Sequence, residues 1–351
     1  MMYRRTVLGG LAAAALIAAQ ALPAAAQGTV EGPKVNWKLS TWGPPRAQTA
    51  GIEKMAELVK ERTNGNFTID IAYAEQLAPA KEGIDSVKIG VIEAAQISGT
   101  YHPGKNPAMM ALSLPFLPLA DADVRIAVHE AFFNHPAMQK ELARWGAMYL
   151  ASAILPSYEF MGVGEPPKKL EDWKGKRVRA LGGMGDAMRV LGAVPTTVPA
   201  PEVYTSLERG VVDAAAFPFT YAHVAYRLHE ISKWYTINLS PGAADVVTIM
   251  SKSAWDALPQ QYRDLLMETK QPQYEALKTA FREADEKNLA MFKERGLEEI
   301  RYTDEQLKEF QEKAGKPVWD KWIAEAGAKG IPAKELVELI LTTAEKAKNK
   351  S

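Results

Sequence analysis

The sequence predicts an α/β chain folded as two lobes, with a ligand cleft between them and one long helix crossing both. Three observations lead there. From Trp173 to Pro218 the chain reads as a β-α-β-α-β run. A second alternation of strands and helices fills Val35 to Ser98. From Pro259 to Arg295 the one strong breaker is Pro272. Runs of β-α-β build parallel sheets, and such sheets take ligands at the C-terminal ends of their strands.

Val35–Ser40 alternates apolar and polar residues, as a half-buried strand does. Trp42-Gly43-Pro44-Pro45 breaks it, and Gln48–Arg62 follows as an amphipathic helix. Phe67–Tyr73 is a second strand, Glu82–Ile89 a helix and Val91–Ser98 a third strand. Asp121–Trp145 reads as helix with a break at Pro136. Met148–Ala153 reads as a strand leading from one lobe to the other, and Asp245–Ser251 as the strand that returns.

In the second lobe, strands at Arg177–Ala180, Pro195–Val198 and Val211–Phe217 alternate with helices opening at Gly182 and Pro201. Residues 259–295 read as one helix, kinked near Pro272; at about 1.5 Å per residue it reaches on the order of 55 Å, longer than one small lobe. The alternative is two helices split at Gln271-Pro272. Thr303 with Gln306 makes a capping box, and Lys334–Lys346 is a terminal helix. No internal repeat is evident. The expected division is 35–153 plus 245–272 for the first lobe and 154–244 plus 297–349 for the second, with 259–295 as the helix between lobes.

Residues 1–26 read as an export leader. Arg4-Arg5 precedes an apolar run from Val7 to about Ala19, and Ala24-Ala25-Ala26 gives a small-residue cleavage pattern. Arg4-Arg5-Thr6-Val7-Leu8 resembles a twin-arginine signal, and a general secretory signal also carries two basic residues. The 351-residue chain has no cysteine, so no disulfide framework holds it. Lys plus Arg and Asp plus Glu both number 42, a balance that argues against nucleic acid or an anionic membrane as partner. Any taste for anions must come from a local site.

Arg179 is the candidate for that site. It ends a short strand and is followed at once by Gly182, Gly183 and a helix. A guanidinium fork beside free helix N–H groups suits a carboxylate. Alternation puts Arg177 on the same face.

Three blocks in order then carry a resemblance. They are Asp172, Gly175, Arg177 and Arg179; Leu191–Pro195; and Glu202, Tyr204, Leu207, Gly210 and Asp213. Gln76-Leu77 and Ser113-Leu114-Pro115-Phe116 add to it. In these blocks the chain resembles the solute-binding proteins of tripartite ATP-independent periplasmic (TRAP) transporters, of the dicarboxylate-binding type. The resemblance implies a two-lobed periplasmic solute-binding fold. It implies Arg179 as carboxylate anchor, with Arg177 its solvated neighbour, and membrane permease subunits as partners.

Two departures refine it. Some members carry a second arginine about 20 residues before the anchor; here that place holds Tyr158-Glu159-Phe160, which argues for one principal carboxylate. Members that hold their ligand through a metal place a carboxylate where this chain has Ala216, and alanine offers a cation no ligand atom. No metal and no cofactor are expected. Trp42 and Tyr101 follow strands, Tyr158 sits just past the interlobe strand, and Phe217 and Tyr221 close the third block. Each alone reads as ordinary packing; together they suggest an aromatic-walled cleft.

No catalytic pattern competes. His129-Glu130 and His135 lack the H-E-x-x-H spacing, and there is no G-x-S-x-G elbow and no Walker loop. Gly182-Gly183-Met184-Gly185 falls short of a dinucleotide fingerprint. The reading is a monomeric periplasmic receptor, not an enzyme, that closes over an organic acid and delivers it to a permease. An exported ligand sensor for a signalling receptor, and an exported enzyme, are the alternatives.

Overall fold

The computed structural model describes residues 28–349; the leader expected at 1–26 lies outside them. The first lobe is built on a five-stranded sheet of β1 (Val35–Ser40), β2 (Phe67–Ala72), β3 (Ala94–Ile97), β4 (Ala147–Ser152) and, from later in the chain, a strand at Val247–Ser251. The second lobe holds β5 (Tyr158–Gly162), β6 (Arg177–Arg179), β7 (Val194–Thr196), β8 (Ala214–Pro218) and β9 (Trp234–Thr236). The returning strand at Val247–Ser251 is β10, and β11 (Glu298–Ile300) completes the second sheet. The orders are β2-β1-β3-β10-β4 and β11-β9-β5-β8-β6-β7.

Neither sheet is wholly parallel. In each, a single strand runs against all the others, β10 in the first sheet and β5 in the second. The antiparallel partners of the core strands are β10 and β5, the strands next to the interlobe crossings. Tyr158, expected just past a strand, opens β5.

Helices cover the first sheet on both faces. They are α1 (Ala50–Arg62) and α2 (Gly83–Lys88), then α3 (Ala122–Phe133) and α4 (Pro136–Ala143). Period-two alternation sorts the strand residues. Leu39, Ala94 and Met250 join Ile52, Met55 and Val59 of α1 on one side. Ala95, Ile97 and Ile249 join Ile84, Val128 and Phe132 on the other. Asp121 caps α3 by accepting from the Asp123 and Val124 N–H groups, and Pro136 opens α4, where its missing N–H costs nothing. The second lobe carries α5 (Gly182–Val190), α6 (Val203–Glu208) and α7 (Tyr221–Ala225).

The lobes are repeats of one another, contrary to the expectation of none. Ser86–Ala95 reads S-V-K-I-G-V-I-E-A-A and Ser206–Ala215 reads S-L-E-R-G-V-V-D-A-A. Both segments end a helix with a left-handed glycine, Gly90 at φ 74° and Gly210 at φ 66°. Glu93 accepts from the Lys38 N–H at 2.7 Å, and Asp213 from the Arg177 N–H at 2.8 Å. The registers match: Leu39 pairs Ala94 as Val178 pairs Ala214, and Ser40 pairs Ala95 as Arg179 pairs Ala215. Ten residues of partial identity are too short to stand out from sequence alone.

After α8 (Lys252–Ala257), the expected single helix is two, α9 (Gln260–Glu268) and α10 (Lys270–Glu294). The break falls at Thr269, three residues before Pro272. A proline ring clashes with the carbonyl four residues back, here Glu268, and supplies it no N–H. Thr269 keeps right-handed helical angles, so the chain bends rather than turns. The long helix still crosses both lobes: Gln273 and Tyr274 of α10 bond to Ser152 of β4, and Asp285 and Phe292 meet Thr220 and Tyr235.

Three helices end the described chain: α11 (Asp304–Ala314), α12 (Lys316–Gly327) and α13 (Ala333–Lys348). The expected place of 297–349 in the second lobe does not fit α13. Its Leu336, Ile340 and Ala344 pack into the first-lobe core beside α3. No described helix is long and apolar enough to cross a membrane.

Candidate functional site

Repeat-related positions of the two lobes face each other across one cavity. Trp42 and Leu181 each follow the strand that pairs with the repeat strand. Ser98 and Pro218 stand at the ends of β3 and β8, and Tyr101 and Tyr221 stand three residues further on. Val246 ends one crossing segment and Tyr158 directly follows the other. The walls stand close together: about 20 Å³ is open to water-sized molecules, room for one or two waters, so a ligand body needs the lobes to part. All six residues singled out in the sequence, Trp42, Tyr101, Tyr158, Arg179, Phe217 and Tyr221, line it.

The repeat is broken where charge is needed. Arg179 stands at the register position that Ser40 holds in the first lobe. Its side chain is 1% exposed. Nε donates to the Val198 carbonyl at 3.0 Å, Nη1 to the Ala216 carbonyl at 2.6 Å, and Nη2 to Tyr101 Oη at 3.3 Å. Among the described residues, no carboxylate is paired with it. Arg177 differs: it is exposed and bound to Asp213 at the opposite end of the same strand. A buried cation held by neutral acceptors alone is poorly compensated, because desolvation costs several kcal/mol. An anion in the cavity would supply the missing charge.

Tyr101 spans the cleft. Its hydroxyl accepts from Arg179 and from the Ala200 N–H at 2.9 Å, both on the second lobe. With two N–H groups aimed at its oxygen, its own proton is left to donate into the cavity. The other cavity phenols stay protonated: burial raises Tyr158 and Tyr221 well above the ordinary tyrosine value and pushes Tyr226 up to about 12.

The Arg179 guanidinium carbon lies 4.5 Å from the Phe217 ring centroid, and Tyr226 stacks on Phe217 at 5.2 Å and 5°. Much of the Phe217 ring is therefore taken up orienting the arginine. Trp42 and Tyr101 contact each other at 5.5 Å with a 58° tilt.

The N-terminus of α5, expected to add N–H groups to the anion site, is occupied. The Gly183 N–H points to Ser113 Oγ at 3.4 Å, and Cβ atoms on Gly182 or Gly183 would strike Ser113 or the backbone at 113–114. Glu159, in the place of the second arginine, faces away from the cavity. It accepts from Thr236 Oγ1, Leu239 N and both the N–H and hydroxyl of Ser240. Arg46, Gln48 and Tyr226 also line the cavity and were not singled out by sequence. Arg46 and Gln48 come from the loop after β1, a strand end that the parallel-sheet rule does point to. Tyr226 follows α7 and carries no such signal.

Residues 40–326 match the family described as bacterial extracellular solute-binding protein, family 7. The chain belongs to this family. Its resemblance to TRAP solute-binding proteins is thereby shown. A monocarboxylate 2-oxoacid-binding periplasmic protein of Nostoc sp. is 29% identical over 237 residues, 66% of this chain and 64% of that relative's length.

Solved structures of similar fold include a marine metagenome TRAP solute-binding protein specific for aromatic acid ligands, crystallised with 3-hydroxybenzoate. Its TM-score is 0.80 at 21% identity, with 90% of this chain and 99% of that one covered. A TRAP solute-binding protein from Rhodoferax ferrireducens with copurified benzoate has a TM-score of 0.80 at 20% identity, over 90% and 99%. For this solute-binding protein those likenesses establish the two-lobed fold.

Proposed function

We propose that this solute-binding protein captures an organic monocarboxylate with an aromatic body and hands it to the membrane subunits of a TRAP transporter. The observation that carries the reading is Arg179: a buried guanidinium with no carboxylate partner among the described residues, opening on an interlobe cavity. The ligand carboxylate takes its hydrogen bonds from Arg179 and from the Tyr101 hydroxyl. Trp42, Tyr158, Tyr221 and the edge of Phe217 enclose its body.

The cavity lies between lobes joined by the crossings at 153–157 and 237–246 and by α10. Closure is then a hinge motion that expels water and strengthens the ion pair. The chain acts as a monomer without turning its ligand over. It is exported to the periplasm by its leader, where delivery rather than signalling is its task. The 2-oxoacid named for the Nostoc relative is the competing ligand class. Ala216, in the middle of β8, offers Arg179 its backbone carbonyl and carries no metal-binding side chain, which favours an acid held without a cation.

The test is direct. The protein is denatured and any co-purifying acid identified by mass spectrometry, and a thermal-shift panel compares benzoate, 3-hydroxybenzoate, pyruvate, lactate and succinate. An aryl acid stabilising the protein most, undiminished by chelator, is the expected result. Greatest stabilisation by pyruvate, lactate or succinate, or loss of binding on chelation, overturns the reading.

A further inference from the structure

The cavity wall includes a side chain whose buried polar atom the carboxylate does not use. Gln48 sits on the single helical turn Ala47–Thr49 after β1, and its side chain is 1% exposed. That turn is pinned: the Arg46 N–H donates to Thr49 Oγ1 at 3.0 Å, and Thr49 Oγ1 donates back to the Arg46 carbonyl at 2.8 Å. One end of the Gln48 carboxamide is also fixed. Its Nε2 donates to Gln96 Oε1 at 2.8 Å, and Gln96 Oε1 also accepts from Thr41 Oγ1 at 2.7 Å.

The other end, Oε1, is buried without any partner. Gln48 lines the same cavity as Arg179. The Tyr226 hydroxyl is a second buried, unpartnered polar atom on that wall.

A buried carboxamide atom left unpaired is costly, and apolar side chains of similar size exist for a purely apolar wall. Gln48 is held rigidly with one atom free, which is the form of a ligand contact. A hydroxyl both donates and accepts, so it pairs with the free end of Gln48 whichever way the amide is turned. A second carboxylate could only accept, and a methyl group would leave the atom orphaned.

We infer that Gln48 selects ligands carrying a hydroxyl group in addition to the carboxylate held by Arg179, so that the preferred class is hydroxylated aryl acids. The inference rests on the carboxylate reading of the cavity and assigns its opposite, first-lobe end. A site built to bond a hydroxyl discriminates strongly against the analogue that lacks it.

Calorimetry with benzoate and with 2-, 3- and 4-hydroxybenzoate tests it, on the wild-type protein and on Gln48→Met. At least one hydroxybenzoate should bind wild type about tenfold or more tighter than benzoate. In Gln48→Met that preference should collapse to within about threefold.

The wild-type comparison stands even if the variant fails to fold. Benzoate binding as tightly as every hydroxybenzoate overturns the inference and leaves the carboxylate reading intact. A preference that survives in Gln48→Met removes Gln48 as its cause and overturns the assignment. Binding by none of the four acids overturns both readings.

Discussion

Tyr101 of the first lobe places its hydroxyl 3.3 Å from Nη2 of Arg179 on the second. The same oxygen takes the Ala200 N–H at 2.9 Å. One phenol thus ties the candidate anchor to the opposite lobe and leaves a proton for the ligand. Removing it should act on closure and on binding together. Tyr101→Phe should weaken aryl-acid binding about 5- to 30-fold, the worth of one or two hydrogen bonds to a charged or buried group. Titration calorimetry reads this; unchanged affinity would reduce Tyr101 to packing.

A hinge account requires a change in shape. Small-angle scattering should show a smaller radius of gyration with saturating 3-hydroxybenzoate than without. Equal radii, with binding shown independently by calorimetry, would count against hinge closure.

The repeat has an energetic signature. Gly90 and Gly210 both sit at positive φ, and a Cβ at either meets nothing within 4 Å. Alanine there costs backbone strain alone, about 1 kcal/mol each. Urea denaturation of Gly90→Ala, Gly210→Ala and the double variant should give two similar losses that add, since the sites lie in different lobes. A cost confined to one site would show that the two turns are not equivalent.

Asp245 gives a pH dependence. It is fully buried at the end of the returning crossing, with Oδ2 accepting from the Gly99 N–H at 2.9 Å and Oδ1 unpartnered. Burial pushes its carboxyl up to about 7, against a smaller opposing effect of the Gly99 bond and a small rise from Glu141. In the unfolded chain it titrates near 4. Between those values the folded state holds a proton that the unfolded state has lost. Its stabilising contribution is therefore full below about pH 4 and lost as pH rises through about 7. The Tm should fall between pH 5 and pH 8, and Asp245→Asn, which mimics the protonated form, should flatten that fall. An unchanged slope in the variant would assign the dependence to other groups.

How far the sequence reaches can be read from particular residues. The β-α-β pattern around Arg179 is local, and periodicity displays it; so the strand carrying Arg179 and the aromatics at strand ends were legible. The reversed strand β5 was not, nor was β9 beside it. Tyr158–Gly162 is buried on both faces and shows no alternation. The break at Thr269 was misplaced at Pro272, because a proline disrupts the turn before it rather than its own position.

The docking of α13 on α3 depends on contacts two hundred residues or more apart in the chain, as does the His135–Glu335 pair beside it. Gln48 and Arg46 escaped for a different reason. A glutamine and an arginine near a helix start are ordinary surface residues until folding buries their loop against a cleft.

The central claim is that Arg179 is the carboxylate anchor. Calorimetry of wild type and Arg179→Lys, with the tightest aryl acid of the panel and with melting temperatures recorded alongside, tests it most directly. Lysine keeps the charge and loses the planar fork. Breaking a desolvated charge pair costs about 2–5 kcal/mol, so affinity should drop by at least roughly thirtyfold in a variant that still melts cooperatively. A folded Arg179→Lys protein that binds within about threefold of wild type would contradict the account.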